Sequence, residues 1–385
     1  MGDGERSQGG VEFAFSTRRQ TSNLIKPCHP ADPSLQTLDI RDMKSDPPVS
    51  APADRHKPDT VVLQPKPGIG DMIWHLPTLK ALAANDPSGK IDLITHEKVP
   101  ARALLAGEGI VGRILYLPMR DDRISRGRAA RVLLRALSAE RYKTMFILHH
   151  SCRYALAARM AGVPNIYGWG LGFQRFLLTQ PSSLMPSKYA SAVFPLELGK
   201  MLLGRLNIPF IDQLPQLHPA DAALAEISRQ FSQYPKPWVG FGIGSTEERR
   251  IWPQDRFAAV ADALWERGYR SLFLLCATHE RRLAEEVVNH CQLAKPVMVT
   301  NFELDLVIAL ISQCAFNFCN DSSLMNVSTA VGVPVYTLFG TAYRFIYSPL
   351  IRPIVADGDA RRDSGVAAIS LARALARLRG DRIID

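Results

Sequence analysis

At 385 residues the chain has room for about two domains of roughly 150 residues each, and its 46% hydrophobic and 22% charged residues exclude wholesale disorder. The net charge of +9 admits nucleic acid, an anionic membrane surface or a phosphorylated substrate as partner and cannot choose among them. No window holds the ~18–20 apolar residues of a membrane-spanning helix, and no apolar signal stretch follows the opening Met-Gly-Asp-Gly-Glu-Arg, so the expected location is the cytoplasm.

Residues 1–57 contain Pro27, Pro30, Pro33, Pro47, Pro48 and Pro52 with only Phe13 and Phe15 as aromatics, and they read as a disordered extension. From Asp59 onward, short aliphatic and β-branched runs alternate with amphipathic stretches, the pattern of parallel βαβ units. Strands are predicted at 60–64, 91–95, 113–117 and 144–148, with helices starting near Asp71, Glu97, Arg126 and Ser151. Residues 58–205 are therefore expected to form one doubly wound α/β domain. The stretch 206–219, LNIPFIDQLPQLHP, carries three prolines and reads as a linker. A second series follows at 238–242, 271–276, 297–300, 315–319 and 335–339, with helices near Pro253, Thr278, Glu303 and Ser322. It gives a second α/β domain over 220–350. The last segment, 351–385, ends in a helix at 366–379 whose apolar face (Ala367, Ile369, Leu371, Leu375, Leu378) is expected to pack back on the first domain. Two such domains leave a cleft between the carboxyl ends of their strands, where doubly wound sheets bind ligands.

Three segments carry chemistry. The first strand runs into Pro67-Gly68-Ile69-Gly70-Asp71, where glycines allow close backbone approach and a helix start favours negative charge. A dinucleotide fingerprint needs a third glycine where this chain has Ile73, which argues against that use. Asp71 is either a helix cap or a general base. The second segment, Ile243-Gly244-Ser245-Thr246 through Arg249-Arg250 to Trp252-Pro253, sets small hydroxyls and a cation after a strand. That set can hold a diphosphate, and a solvated loop is the plain alternative. The third, Asn320-Asp321-Ser322-Ser323 leading to Asn326, is a helix start that offers Asp321 as an N-cap, N–H groups to an anion, or both. The six cysteines form no C-x-x-C pair and have no histidine at ligand spacing, so neither a metal site nor a disulfide framework is expected.

In order and spacing these segments resemble glycosyltransferase family 9, the ADP-heptose:lipopolysaccharide heptosyltransferases and their relatives: PGIGDMIWHLPTLKAL, then GIGSTEERRIWPQDRFAAVADAL, then NDSSLMNVSTAVGVPVYTLFG. The resemblance spans residues 60 to 345. It implies a GT-B fold of two Rossmann-like domains facing a central cleft. It also implies an inverting, metal-independent transfer of a heptose-like sugar, with no cofactor, from a nucleotide-diphosphate donor such as ADP-heptose. The implied acceptor is a lipid-linked saccharide, lipopolysaccharide or a related glycan, at the inner face of the cytoplasmic membrane. Position by position, Asp71 matches the catalytic base, and Gly70 belongs to the same opening loop. Arg250 stands where relatives have a diphosphate-binding lysine, with Ser245 and Thr246 beside it. Glu280 matches a ribose contact, and Asp321, Ser322 and Ser323 fall in the donor pocket. Ser323 and Asn326 replace a glycine and a histidine usual in the family, which leaves open a non-catalytic sugar-nucleotide or glycolipid-binding paralogue; a sugar-nucleotide epimerase on the same fold is the other alternative.

Residues 120–143 hold Arg120, Arg123, Arg126, Arg128, Arg131, Arg135, Arg141 and Lys143 against Asp121, Asp122 and Glu140. This run is a solvated face or a contact for anionic lipid; without interleaved aromatics it does not suit single-stranded nucleic acid. His149-His150 at a strand end is structural or lines the cleft.

Overall fold

Runs such as TVVLQ, WVGFG, SLFLL and VYTLF are buried at every position. Strands buried on both faces belong in parallel sheets covered by helices on each side, and two such sheets form. The computed structural model describes residues 37–38, 57–118, 123–180, 195–340, 346–356 and 365–385, with backbone alone at 37–38 and 123–127. Strand β1 (Thr37–Leu38) comes first in the chain. The first sheet holds β2 (Thr60–Gln64), β3 (Ile91–His96), β4 (Val111–Leu117), β5 (Thr144–Ile147) and β6 (Asn165–Gly168), in the order β4-β3-β2-β5-β6. The second holds β7 (Trp238–Gly242), β8 (Ser271–Leu275), β9 (Val297–Val299), β10 (Cys314–Asn320), β11 (Val335–Phe339) and β12 (Ile351–Val355). Its order is β1-β9-β8-β7-β10-β11-β12. Every pairing in both sheets is parallel. Strand order reverses beside β2 and again beside β7, as in the dinucleotide-binding fold.

The helices are α1 (Ile69–Asn85), α2 (Ala101–Leu104), α3 (Arg123–Glu140), α4 (Cys152–Met160), α5 (Pro195–Arg205), α6 (Asp221–Gln230), α7 (Gln254–Glu266), α8 (Arg281–His290), α9 (Leu304–Ser312), α10 (Ser323–Ala330) and α11 (Leu371–Gly380). One apolar cluster joins α1, α5, α6 and α9, including Leu79, Leu203, Ile227 and Leu310. A second lies between α7 and the other face of its sheet, around Trp252, Phe257 and Phe318.

Four findings differ from the sequence expectations. Strands β6 and β12 add one edge to each sheet. The helix expected near Glu97 is a turn followed by the four-residue α2, because Pro100 has no N–H to continue a helix. Thr37–Leu38, inside the expected disordered extension, pairs with Met298 and Val299 on β9, and Lys57 pairs with Glu140; the rest of 1–56 lies outside the described residues. Finally, the C-terminal helix does not return to the first sheet. Val366, Ile369, Ala374 and Leu378 are buried in the α7 cluster, and Trp252 Nε1 donates to the Ile369 carbonyl at 2.9 Å. The apolar face of α11 meets α7 directly, so the C-terminal segment braces the loop that ends at Trp252.

Candidate functional site

Helix α1 leaves β2 and helix α10 leaves β10, so each starts where the strand order of its sheet reverses. Neither start is capped by a side chain. At α1 the N-cap position is Gly68, without a side chain to cap with. Asp71 stands three residues further, in the first turn, where a carboxylate favours the helix dipole but is not the cap. Its Oδ1 lies 3.3 Å from Lys66 Nζ. A Cβ on Gly68 would come within 2.6 Å of Asp71 Oδ2, so the glycine makes room for the carboxylate over the loop.

Gly70 has a different neighbour. A Cβ there would stand 2.7 Å from Asn326 Nδ2, so the first turn of α1 rests directly on α10. Asn326 Oδ1 accepts from the Tyr347 hydroxyl at 2.9 Å. That hydroxyl is 2.8 Å from Thr329 Oγ1, and the Tyr347 ring meets Trp74 of α1 edge-on at 6.4 Å. Asn326 thus joins the two sheets at their helix starts.

On the second sheet, β7 runs into a buried Ile243-Gly244, a half-buried Ser245 and an exposed Thr246. Asn320 fixes this exit: its Nδ2 donates to the Ile243 carbonyl at 2.8 Å, and its Oδ1 accepts from the Trp252 N–H at 3.1 Å. Between them the turn Glu248–Arg250 presents Arg250 to two carboxylates, Glu247 Oε1 at 2.9 Å and Asp321 Oδ2 at 3.5 Å. Burial pushes the Asp321 carboxyl above the ordinary carboxylate range; Arg250 opposes that shift and Glu247 adds to it. Glu280 accepts from the Ala277 N–H at 2.9 Å and packs so closely on Gly244 that a Cβ there would overlap its carboxylate. Ser322 takes the N-cap position of α10 with extended backbone (φ −145°, ψ −179°), and its hydroxyl caps nothing. Ser323 is the first helical residue.

The structure therefore gathers Ser245, Thr246, Arg250, Glu280, Asp321, Ser322 and Ser323 around the carboxyl ends of β7, β8 and β10. Gly70 and Asp71 stand on the facing helix. Lys66, Glu247 and Tyr347 were not singled out from sequence. Lys66 was within reach of a local argument, five residues before Asp71; Tyr347 meets Asn326 only through the fold. His149 follows β5 at the carboxyl end of the first sheet. Its Nδ1 accepts from the Ser151 N–H at 3.0 Å, it stacks on His150 at 4.2 Å, and burial with the nearby positive groups lowers it to about 4. It is neutral at neutral pH. Among the described residues, no three His, Cys, Asp or Glu side chains converge. Burial pushes Cys276, Cys291 and Cys314 up to about 12, whereas Cys152 is exposed.

An uncapped helix start beside an arginine holds an anion, and a carboxylate on the apposed helix can take a proton. Two all-parallel doubly wound sheets meeting at such starts form the GT-B arrangement. The family model for glycosyltransferase family 9 (heptosyltransferase) matches residues 130–352, and the chain belongs to that family. Lipopolysaccharide heptosyltransferase 2 of Escherichia coli K12 is 26% identical over 297 residues, covering 73% of this chain and 83% of that protein. The solved structure of E. coli ADP-heptose lps heptosyltransferase II superposes with a TM-score of 0.66 at 24% identity, over 83% of this chain and 97% of the other. E. coli heptosyltransferase WaaC with ADP-2-deoxy-2-fluoro heptose gives 0.63 at 14% identity, over 84% and 99%. At these identities the structural likeness shows a shared fold.

Proposed function

We propose that this glycosyltransferase moves a heptose-like sugar from ADP-heptose to a lipid-linked saccharide of the lipopolysaccharide type, with inversion and without a metal. The observation that carries the proposal is the contact of Gly70 with Asn326, which sets the Asp71 helix start against the helix start beside Arg250. Residues 58–205 then form the acceptor side, residues 220–350 the donor side and residues 206–219 the linker between them.

Asp71, paired with Lys66, takes the proton from the acceptor hydroxyl as that oxygen attacks the anomeric carbon. The nucleoside diphosphate leaves from the opposite face of the sugar, which inverts the anomeric centre. Negative charge grows on the departing phosphate oxygens. Arg250, the Ser245 and Thr246 hydroxyls and the N–H groups at the start of α10 meet it. Because Asp321 and Glu247 hold the guanidinium in place beforehand, little reorganisation is needed when charge appears. Glu280, braced on Gly244, is placed to accept from ribose hydroxyls, and the Ser322 and Ser323 hydroxyls are placed to meet the donor. The names of the relatives support heptose and adenosine diphosphate, and the exposed Arg128, Arg131 and Arg135 of α3 suit an anionic acceptor or lipid at the cytoplasmic membrane face.

The test is to incubate the purified chain with ADP-heptose and a lipopolysaccharide-core acceptor, with and without a chelator. ADP release that requires acceptor, survives the chelator and yields the inverted anomer by NMR is expected. Release independent of acceptor, or a retained anomer, would overturn the proposal.

A further inference from the structure

Four large apolar side chains stand in solvent beside the first sheet. Leu156 and Met160 on α4 are 49% and 67% exposed, and Phe173 and Phe176 on the 3-10 turn Gly172–Leu177 are 79% and 63% exposed. Isolated exposed apolar residues are ordinary, whereas a contiguous group marks an interaction surface. The four stand on neighbouring elements: Leu156 and Met160 are one helical turn apart on α4, and α4 packs against the turn that carries both rings, tied to it by Arg159, which donates to the carbonyls of Leu177 and Leu178 at 2.8 and 3.0 Å. In a 3-10 turn, side chains three apart eclipse, and the two phenyl rings lie 6.4 Å apart. Gln174 between them is fully buried, donating to the His149 carbonyl at 2.7 Å and accepting from the Gly170 N–H at 2.8 Å. The inward glutamine locks the turn and holds both rings outward.

Cations frame the patch. Arg153 and Arg175 are exposed within it, Arg175 lying 4.6 Å over the Phe176 ring. Arg128, Arg131 and Arg135 are exposed on α3, which packs against α4. Residues 123–195 hold eleven Lys and Arg, with Glu140 as the one acidic residue, which exceeds the net charge of +9 of the whole chain. Glu140 is itself engaged by Arg113 and Lys57.

We infer that this face docks on an anionic lipid bilayer, with Leu156, Met160, Phe173 and Phe176 entering the headgroup region and the arginines meeting lipid phosphates. Apolar side chains ringed by cations are the combination that holds a protein at such an interface. A second copy of the chain fits poorly, since a two-fold contact sets the same patch against itself and would bring two strongly positive faces together. Leu156 and Met160 offer no flat face for base stacking, which single-stranded nucleic acid would use. Through Gln174 the patch is fixed to the end of β5, so docking sets the acceptor side of the site near the bilayer; that consequence, unlike the docking, rests on the lipid-linked acceptor proposed above.

The test is co-sedimentation of the full chain with vesicles of phosphatidylcholine mixed with phosphatidylglycerol and with vesicles of phosphatidylcholine alone, together with light scattering. The wild type should pellet with the mixed vesicles and much less with the neutral ones. The double variant Phe173→Ser, Phe176→Ser should lose at least about tenfold in partitioning while keeping its melting temperature and its thermal shift with ADP. The reverse-charge pair Arg131→Glu, Arg135→Glu should also lose binding and retain that shift. Equal pelleting of the serine variant, equal pelleting with neutral vesicles, or a wild-type dimer that the serine variant converts to monomer would each overturn the inference. Because no sugar is transferred in the assay, its failure would leave the glycosyl-transfer proposal standing.

Discussion

Arg250 rests between Glu247 and Asp321, so removing it does two things: it takes a cation from the proposed diphosphate site and leaves Asp321 half-buried beside Glu247 without the arginine's counter-charge. Arg250→Ala should weaken binding of ADP by about 2 kcal/mol, within the range for hydrogen bonds to charged groups. Arg250→Lys should recover part of the loss, since charge returns without the planar fork. Arg249, which pairs with Glu247, is the control and should change affinity much less; calorimetry at low and moderate salt measures all three. Asp71→Asn should leave ADP affinity and melting temperature in place and lower turnover by about 10²-fold or more. A loss of stability alone would return Asp71 to a dipole role. His75 makes a pH prediction. It is fully buried on α1 against Trp169, neither ring nitrogen has a hydrogen-bond partner among the described residues, and burial first, then Lys66 and His149, lowers it to about 3. The unfolded chain binds the proton more readily, so its stabilising contribution is whole above about pH 6.5 and is lost as pH falls toward 3. By about pH 5 the loss should be near 2 kcal/mol. Denaturant titrations at pH 7 and 5 should show that loss in the wild type and a smaller one in His75→Phe.

At the scale of elements, the seam between α1 and α10 depends on a residue with no side chain. Gly70→Ala would set a methyl 2.7 Å from Asn326 Nδ2, and Asn326 is held by Tyr347. Overpacking of this kind costs about 1–3 kcal/mol. Asn326→Ala in the same chain should restore most of it, and a double-mutant cycle by thermal unfolding reads the coupling. No local pattern announced this pair, because 255 positions separate Gly70 from Asn326; the sequence suggested only that Gly70 lets something approach. By contrast, the central strands were readable from sequence, since TVVLQ and WVGFG are apolar runs of strand length bounded by turn residues. The edge strands NIYG and IRPIV were not. The first is short, and Pro353 in the second fits an edge position, where its missing N–H is tolerated. The loop residues at the strand ends of the second sheet were legible as such, whereas the pairing of Arg250 with Asp321 was not, since the two follow different strands.

For the whole molecule, the N-terminal extension gives a graded prediction. Among the described residues, the buried clusters begin at Val61, so a chain starting at Lys57 should fold and shift its melting temperature with ADP as the full chain does. It loses the two-residue strand β1, whose few ladder hydrogen bonds contribute about 1 kcal/mol each, and a fall of a few degrees is expected. Starting at Pro58 should cost more, because Lys57 pairs with Glu140 and lies 5.2 Å from the Tyr142 ring. The contact of Gly70 with Asn326 also fixes how the halves can turn. Any rotation of one sheet past the other that keeps this contact has its axle there. Displacement then grows with distance from the axle: the apposed first turns of α1 and α10 barely separate, while the parts of each sheet remote from them swing through longer arcs. Entry and exit of a bulky donor would thus be governed by the far end of this lever, with the spacing of the two helix starts held nearly constant throughout the swing.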